Sequence, residues 1–183
     1  PMPIHRKSPF CCPDWRRPAA PIRAAERGFA MDWHGLLKTQ WQLSTQRVLQ
    51  AVEDVSPEEA TARPQDLAPI AWQLGHMSYY DAMLLKRAGL PVDIPPEHDQ
   101  LFPIGTDGRG ELPPLDELRE VFRQRSEHIA SLLDDPAALA RPTQGTANYS
   151  TLAEGIVYVI GHRGYHLGKI MTLRALLGKP RLR

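Results

Sequence analysis

Apolar residues recur at helical spacing in four segments of the chain, and proline or glycine punctuates every gap between them. In the first, from Trp33 to Asp54, Leu37, Trp41, Val48, Val52 and the following Val55 are spaced by threes, fours and sevens, as one buried face of a helix requires. Ser56, Pro57, Glu58 and Glu59 then form the start signal of a short helical turn, with a capping side chain, proline at the first position and acid in the first turn. A second helix is predicted from about Pro69 to Lys86 or Arg87, carrying Trp72, His76, Tyr79, Tyr80 and Met83, and Gly89 and Pro91 end it. The third runs over about Leu115 to Leu133, with Leu118, Val121, Phe122, Ile129, Leu132 and Leu133 on its apolar side. The fourth covers about Ser150 to Leu177 and stops at Gly178 and Pro180. No segment alternates convincingly enough for a strand, and the chain has no internal repeat.

The pattern predicts an all-α fold built as a four-helix bundle. Between helices two and three lies a connection from about Gly89 to Pro114, crowded with prolines and glycines. A loop of that length in a compact domain is a crossover, a lid or a functional loop, so the bundle is not a simple up-and-down one. A second loop is expected from Pro136 to Asn148.

Composition adds a boundary. Residues 1–30 contain six prolines and no periodic apolar face, which predicts a disordered extension; residues 31–183 are the folded domain, with Met31 as its natural start. An arginine-rich targeting peptide is the functional alternative for the extension. Six basic residues against two acidic ones give residues 1–30 a net charge of +4, so the remainder carries −3 against +1 for the whole chain. A mildly acidic body argues against a nucleic-acid partner. No apolar run reaches the length of a membrane span, and no secretory signal is visible, so a soluble cytoplasmic protein is expected, with no membrane partner. The two cysteines, Cys11 and Cys12, are adjacent and supply neither a disulfide framework nor the usual zinc spacing.

The chemistry begins with His162 and His166. Four residues apart on a helix, they project from one face a turn apart, an arrangement that serves two positions of a metal ion. Such a pair by itself equally fits two hydrogen-bonded or surface imidazoles. Its surroundings favour the metal, because the stretch from Gly155 to Ile160 is apolar almost all round and predicts burial, where imidazoles need partners. Gly161, Gly164 and Gly168 each weaken the helix, which suggests room left for a ligand or a close helix contact. His76, in the comparable setting Ile70 to Tyr80, completes a three-histidine set.

The motifs Ile70 to Met77, apolar-x-x-Leu-Gly-His-Met in form at its end, and His162 to Ile170, His-Arg-Gly-Tyr-His-Leu-Gly-Lys-Ile, resemble those of the DinB/YfiT-like metalloenzyme family. The likeness covers about residues 32–177 and includes the helix order and the long connection. It implies a four-helix bundle of up-down-down-up order with His76, His162 and His166 as metal ligands, and it is compatible with a homodimer. Some family members are thiol S-transferases or thiol-dependent isomerases, which implies a small-molecule substrate and a low-molecular-weight thiol here.

Three neutral imidazoles leave a coordination position open and no carboxylate to offset the ion's charge, the pattern of a catalytic site that activates a thiol or water. The expected activity is thiol transfer, with metal-dependent hydrolysis or non-catalytic metal binding as alternatives. Imidazole suits zinc, nickel and iron, and manganese joins them as a candidate ion, so the metal stays open. Tyr80 and Tyr158 are the candidate catalytic side chains, with Tyr79 and Tyr165 beside them. Asn148 and Glu154 are candidates to orient an imidazole, touch substrate or cap helix four. Asp81 is expected off the histidine face, and His5, His34, His98 and His128 are read as surface residues, His98 being the one with a loop role open to it.

Overall fold

The computed structural model describes residues 32–182, so the expectations for residues 1–30 lie outside the described residues. Within them the chain forms seven α-helices: α1 (Trp33–Val52), α2 (Pro57–Thr61), α3 (Ile70–Arg87), α4 (His98–Leu101), α5 (Leu115–Leu132), α6 (Pro136–Leu139) and α7 (Leu152–Leu176), with a 3-10 turn at Pro64–Asp66. There is no strand among them, only an isolated bridge between Pro142 and Thr151. The fold is all-α. No helix among the described residues is long and apolar enough to cross a membrane.

Local chemistry explains the helix starts. Asp32 accepts from the amide of Gly35 and caps α1. Ser56 and Glu59 exchange side-chain and backbone hydrogen bonds in a complete capping box on α2, and Thr151 with Glu154 does the same on α7. The cap of α7 is therefore Thr151, not Asn148; Glu154 is occupied by the amides of Ser150 and Thr151 and does not orient an imidazole.

The four long helices pack α3 against α5 and α7, and α1 against α7 and α5. Lys38 near the start of α1 pairs with Asp134 just after α5, while Arg119 near the start of α5 donates to the carbonyl of Val52 at the end of α1. The core has two adjoining parts. One gathers Val48, Ile70, Leu74, Met77, Leu118, Phe122 and Ile170; the other gathers Trp41, Leu84, Leu85, Ile129, Leu152 and Ile156. Each such side chain contributes roughly 1.5–3 kcal/mol by leaving water.

The long connection is more ordered than its proline content suggests. It contains α4 and lies over the first turns of α3: Trp72 Nε1 donates to the carbonyl of Leu101 at 3.0 Å and to Thr106 Oγ1 at 3.1 Å. Gly108, with a positive φ, packs against the Trp72 side chain where a Cβ would meet it at 2.8 Å. His98 on α4 is buried, contrary to the surface reading, in edge-on contact with Phe102. His34 is exposed and His128 half-buried. Two readings of α7 are also corrected. Val157 and Tyr158 are exposed, so the helix is not buried all round; its apolar surplus lies on an outer face. A Cβ at Gly161, Gly164 or Gly168 would meet nothing within 4 Å among the described residues, so these glycines do not mark a close helix contact.

Candidate metal centre

The centre lies between α3 and α7, and two glycines decide how closely its parts approach. A Cβ on Gly155 would come within 2.3 Å of Leu84 Cδ1, so this glycine lets α7 close onto α3. A Cβ on Gly75 would overlap the Phe102 ring at 2.2 Å. Its absence admits that ring against α3 and brings the Phe102 carbonyl onto His76, with His76 Nδ1 2.7 Å from the oxygen. The glycine of the Leu-Gly-His motif thus serves its neighbouring histidine through a residue 26 positions away.

His76, His162 and His166 each offer a ring nitrogen, and these atoms all lie within 4.8 Å of one another. His76 Nε2 and His162 Nε2 are 3.2 Å apart. Two imidazole nitrogens bound tetrahedrally to one zinc ion stand about 3.3 Å apart, given bonds of about 2.0–2.1 Å. The spacing therefore suits a shared ion.

The hydrogen bonds settle the tautomers. A carbonyl only accepts, so His76 Nδ1 carries its proton toward Phe102 and leaves Nε2 with a free lone pair. His166 Nδ1 stands 2.7 Å from Gln73 Oε1, and the Gln73 amide is oriented by donation from its Nε2 to the carbonyl of Ala68 at 3.1 Å. His166 Nε2 is left bare in the same way. Metal-ligating histidines commonly hold their second ring nitrogen in this manner, which fixes the ring and raises the basicity of the ligating atom. His162 Nδ1 is buried with no hydrogen-bond partner among the described residues.

All three imidazoles are held neutral. Burial, reinforced by His76 and Arg163, lowers the His162 pKa from its ordinary value to about 4. Burial together with His162, His76 and Lys169 lowers that of His166 to about 3. Burial also lowers that of His76, with the Phe102 carbonyl opposing. Among the described residues no carboxylate joins the cluster. The donor set fits a divalent ion that accepts imidazole, and its identity is not encoded by nitrogen ligands alone.

Aromatic rings enclose the cluster. Trp72 stacks on His76 with centroids 4.6 Å apart, Tyr80 lies 4.7 Å from both His76 and His162, and Tyr165 meets His166 edge-on at 5.0 Å. Tyr158 stands one step further out, with its ring 5.5 Å from that of Tyr149. Of the two tyrosines singled out for chemistry, Tyr80 touches the histidines and Tyr158 is its neighbour. Tyr79 packs against Tyr80. Gln73 and Phe102 escaped the sequence reading. Gln73 had a usable signal, a buried amide three residues before His76 on the same helix face; a backbone carbonyl has none.

Beside the histidines, about 60–100° round α7, Arg163 forms a fully buried ion pair with Asp81 of α3. Asp81 is off the histidine face, as expected.

The model of the DinB superfamily matches residues 40–170, well over half of the chain. No curated protein matches it.

Proposed function

The chain belongs to the DinB superfamily, and from that premise we propose that it is a metal-dependent enzyme, acting on a small molecule at a divalent ion held by His76, His162 and His166. The observation that carries this reading is the convergence of three neutral imidazoles, two of them pinned through Nδ1 by carbonyl oxygens, with no carboxylate among them. The four long helices form, on this reading, a bundle of up-down-down-up order. The start of α1 against the end of α5, and across α3 and α7 the contacts of Gln73 with His166 and Leu84 with Gly155, support it.

When bound, the ion would supply a Lewis acid that lowers the pKa of a coordinated thiol or water. The remaining work falls to the protein. Phe102 and Gln73 hold two imidazoles in the tautomer that presents Nε2 inward. Trp72, fastened by Leu101 and Thr106, closes one side of the cluster against water. The Tyr80 phenol stays protonated because burial pushes its pKa up, with Tyr158 and Tyr149 adding to the effect. It is therefore a hydrogen-bond donor beside His76 and His162, placed to orient a substrate oxygen or sulfur; Tyr158 assists from the next position outward. Thiol S-transfer is the reaction we favour, with hydrolysis as its close variant.

The test is metal analysis of protein purified without chelator, alongside His162→Ala. One ion per chain in the parent and its loss in the variant are expected for a three-histidine site. If reconstitution with zinc, nickel, manganese and iron leaves the parent empty, the metalloenzyme reading is wrong.

A further inference from the structure

The face between α3 and α7 continues beyond the histidines. On α3, His76, Tyr80, Met83 and Arg87 follow one another at steps of four, three and four, a single helix face. Tyr80 touches the histidines, Tyr158 and Tyr149 are near enough to raise its pKa and pair with each other at 5.5 Å, and Arg87 Nη1 donates to the Tyr149 hydroxyl at 3.1 Å. Arg87 also lies close enough to Tyr80 to oppose the rise of its pKa. At Met83 and Arg87 this helix face meets a cleft of about 700 Å³ lined also by Lys86, Arg141, Pro142 and Gln144. Three cations line it and no carboxylate does. Among the described residues none of the three forms an ion pair, whereas Arg63, Arg109, Arg119, Arg123, Arg163 and Arg174 all do.

An uncompensated cluster of cations raises the local concentration of anions and fixes their position, most of all where part of the lining is apolar. From His76 to Arg87 the α3 axis advances roughly 16 Å at the ~1.5 Å rise per residue of a helix, less the reach of the arginine side chain. A molecule of small-metabolite length spans that interval.

We propose that the cleft of Lys86, Arg87 and Arg141 holds the anionic end, carboxylate or phosphate, of an elongated ligand whose opposite end reaches the three histidines. The inference deepens the metalloenzyme reading and rests on it. It assigns the substrate class: a two-ended molecule, anionic at one terminus and metal-seeking at the other. Arg87 and Arg141 are specificity residues, remote from the reacting atoms.

The test uses the full chain loaded with cobalt(II), whose absorption reports the metal environment. The probes are 8-mercaptooctanoate, 8-mercapto-1-octanol of matched length, and mercaptoacetate, which is too short to reach the cleft. The octanoate is expected to bind about 10-fold more tightly than the alcohol, as charge-assisted contacts at a partly exposed site allow. In Arg141→Gln and in Arg87→Gln that preference shrinks toward unity, while Arg123→Gln, on the outside of α5, leaves it intact. Added salt weakens octanoate binding and leaves the alcohol unaffected. Equal affinity of octanoate and alcohol for the parent, with cobalt bound, would overturn the anion cleft and leave the metal reading standing. Absence of any cobalt spectrum in protein that also stays empty with zinc, nickel, manganese and iron would overturn both.

Discussion

Two polar clusters are buried between α3 and α7, side by side on neighbouring turns. One is built on Arg163, the other on its neighbour His162 and on His166. Arg163 meets Asp81 on α3, Thr45 and Ser44 on α1 and Ser126 on α5, and its guanidinium lies 3.8 Å from the Trp41 ring centroid and 4.6 Å from that of Phe122. Its charge is matched and its donors reach the three other long helices. The histidine cluster has no matching charge, inward lone pairs on His76 and His166, and a His162 Nδ1 without a partner among the described residues. Buried polar groups that satisfy one another organise a core; buried groups that converge unsatisfied require something from outside the chain. The first cluster is architecture, and the second is a site.

The sharpest way to break this comparison is to remove one member of each. Asp81→Ala strands a buried guanidinium and should lower stability by about 3–5 kcal/mol, measured by urea denaturation. His162→Ala in metal-free protein should cost far less, since it removes a neutral imidazole whose Nδ1 has no partner among the described residues. Comparable losses in both would mean that the histidines are structural too.

Acid comes next. The unfolded chain protonates its histidines near pH 6.5, whereas His162 in the fold resists protonation down to about pH 4. Between those values the unfolded state binds the extra proton, so the metal-free protein should be fully stable above pH 6.5 and weaken as pH falls toward 4. The His162 share is on the order of 3 kcal/mol, and His166 carries the decline lower still. Denaturation midpoints across this range should drop in the parent and drop less steeply in His162→Ala, where His166 and His76 still resist protonation.

A smaller effect tests the support beneath the ligands. Gln73→Leu keeps the volume but frees the His166 ring, and metal affinity in chelator competition should fall about 10- to 100-fold while the fold persists. The mildest test concerns glycine. Gly161→Ala adds a methyl group in open space and should stabilise α7 by up to ~1 kcal/mol, whereas Gly155→Ala collides with Leu84 and should destabilise. Thermal melts of the pair distinguish the two.

Much of the fold was legible because helix signals are local. The limits of α1, α3, α5 and α7 fall within about two residues of those predicted from periodicity, capping residues and prolines, the usual uncertainty of helix ends. The short helices α4 and α6, hidden in proline-rich connections, were not legible, because four residues carry too little periodicity. The exposure of Val157 and Tyr158 and the burial of His98 were misread for a related reason. Side-chain character states what a residue tolerates, and only its neighbours decide what covers it.

By itself the sequence determined that His162 and His166 share a face of one helix, since a four-residue step does so in any α-helix. It also placed His76 on a second helix in a setting fit for burial. Tertiary structure alone decided that His76 comes within 3.2 Å of a residue 86 positions away, that a loop carbonyl and the Gln73 amide aim the imidazoles, and that Arg163 turns toward Asp81. The division has a physical cause: helix hydrogen bonds close over four residues and are written locally, whereas contacts across the core depend on how whole faces pack, down to the single missing Cβ of Gly75.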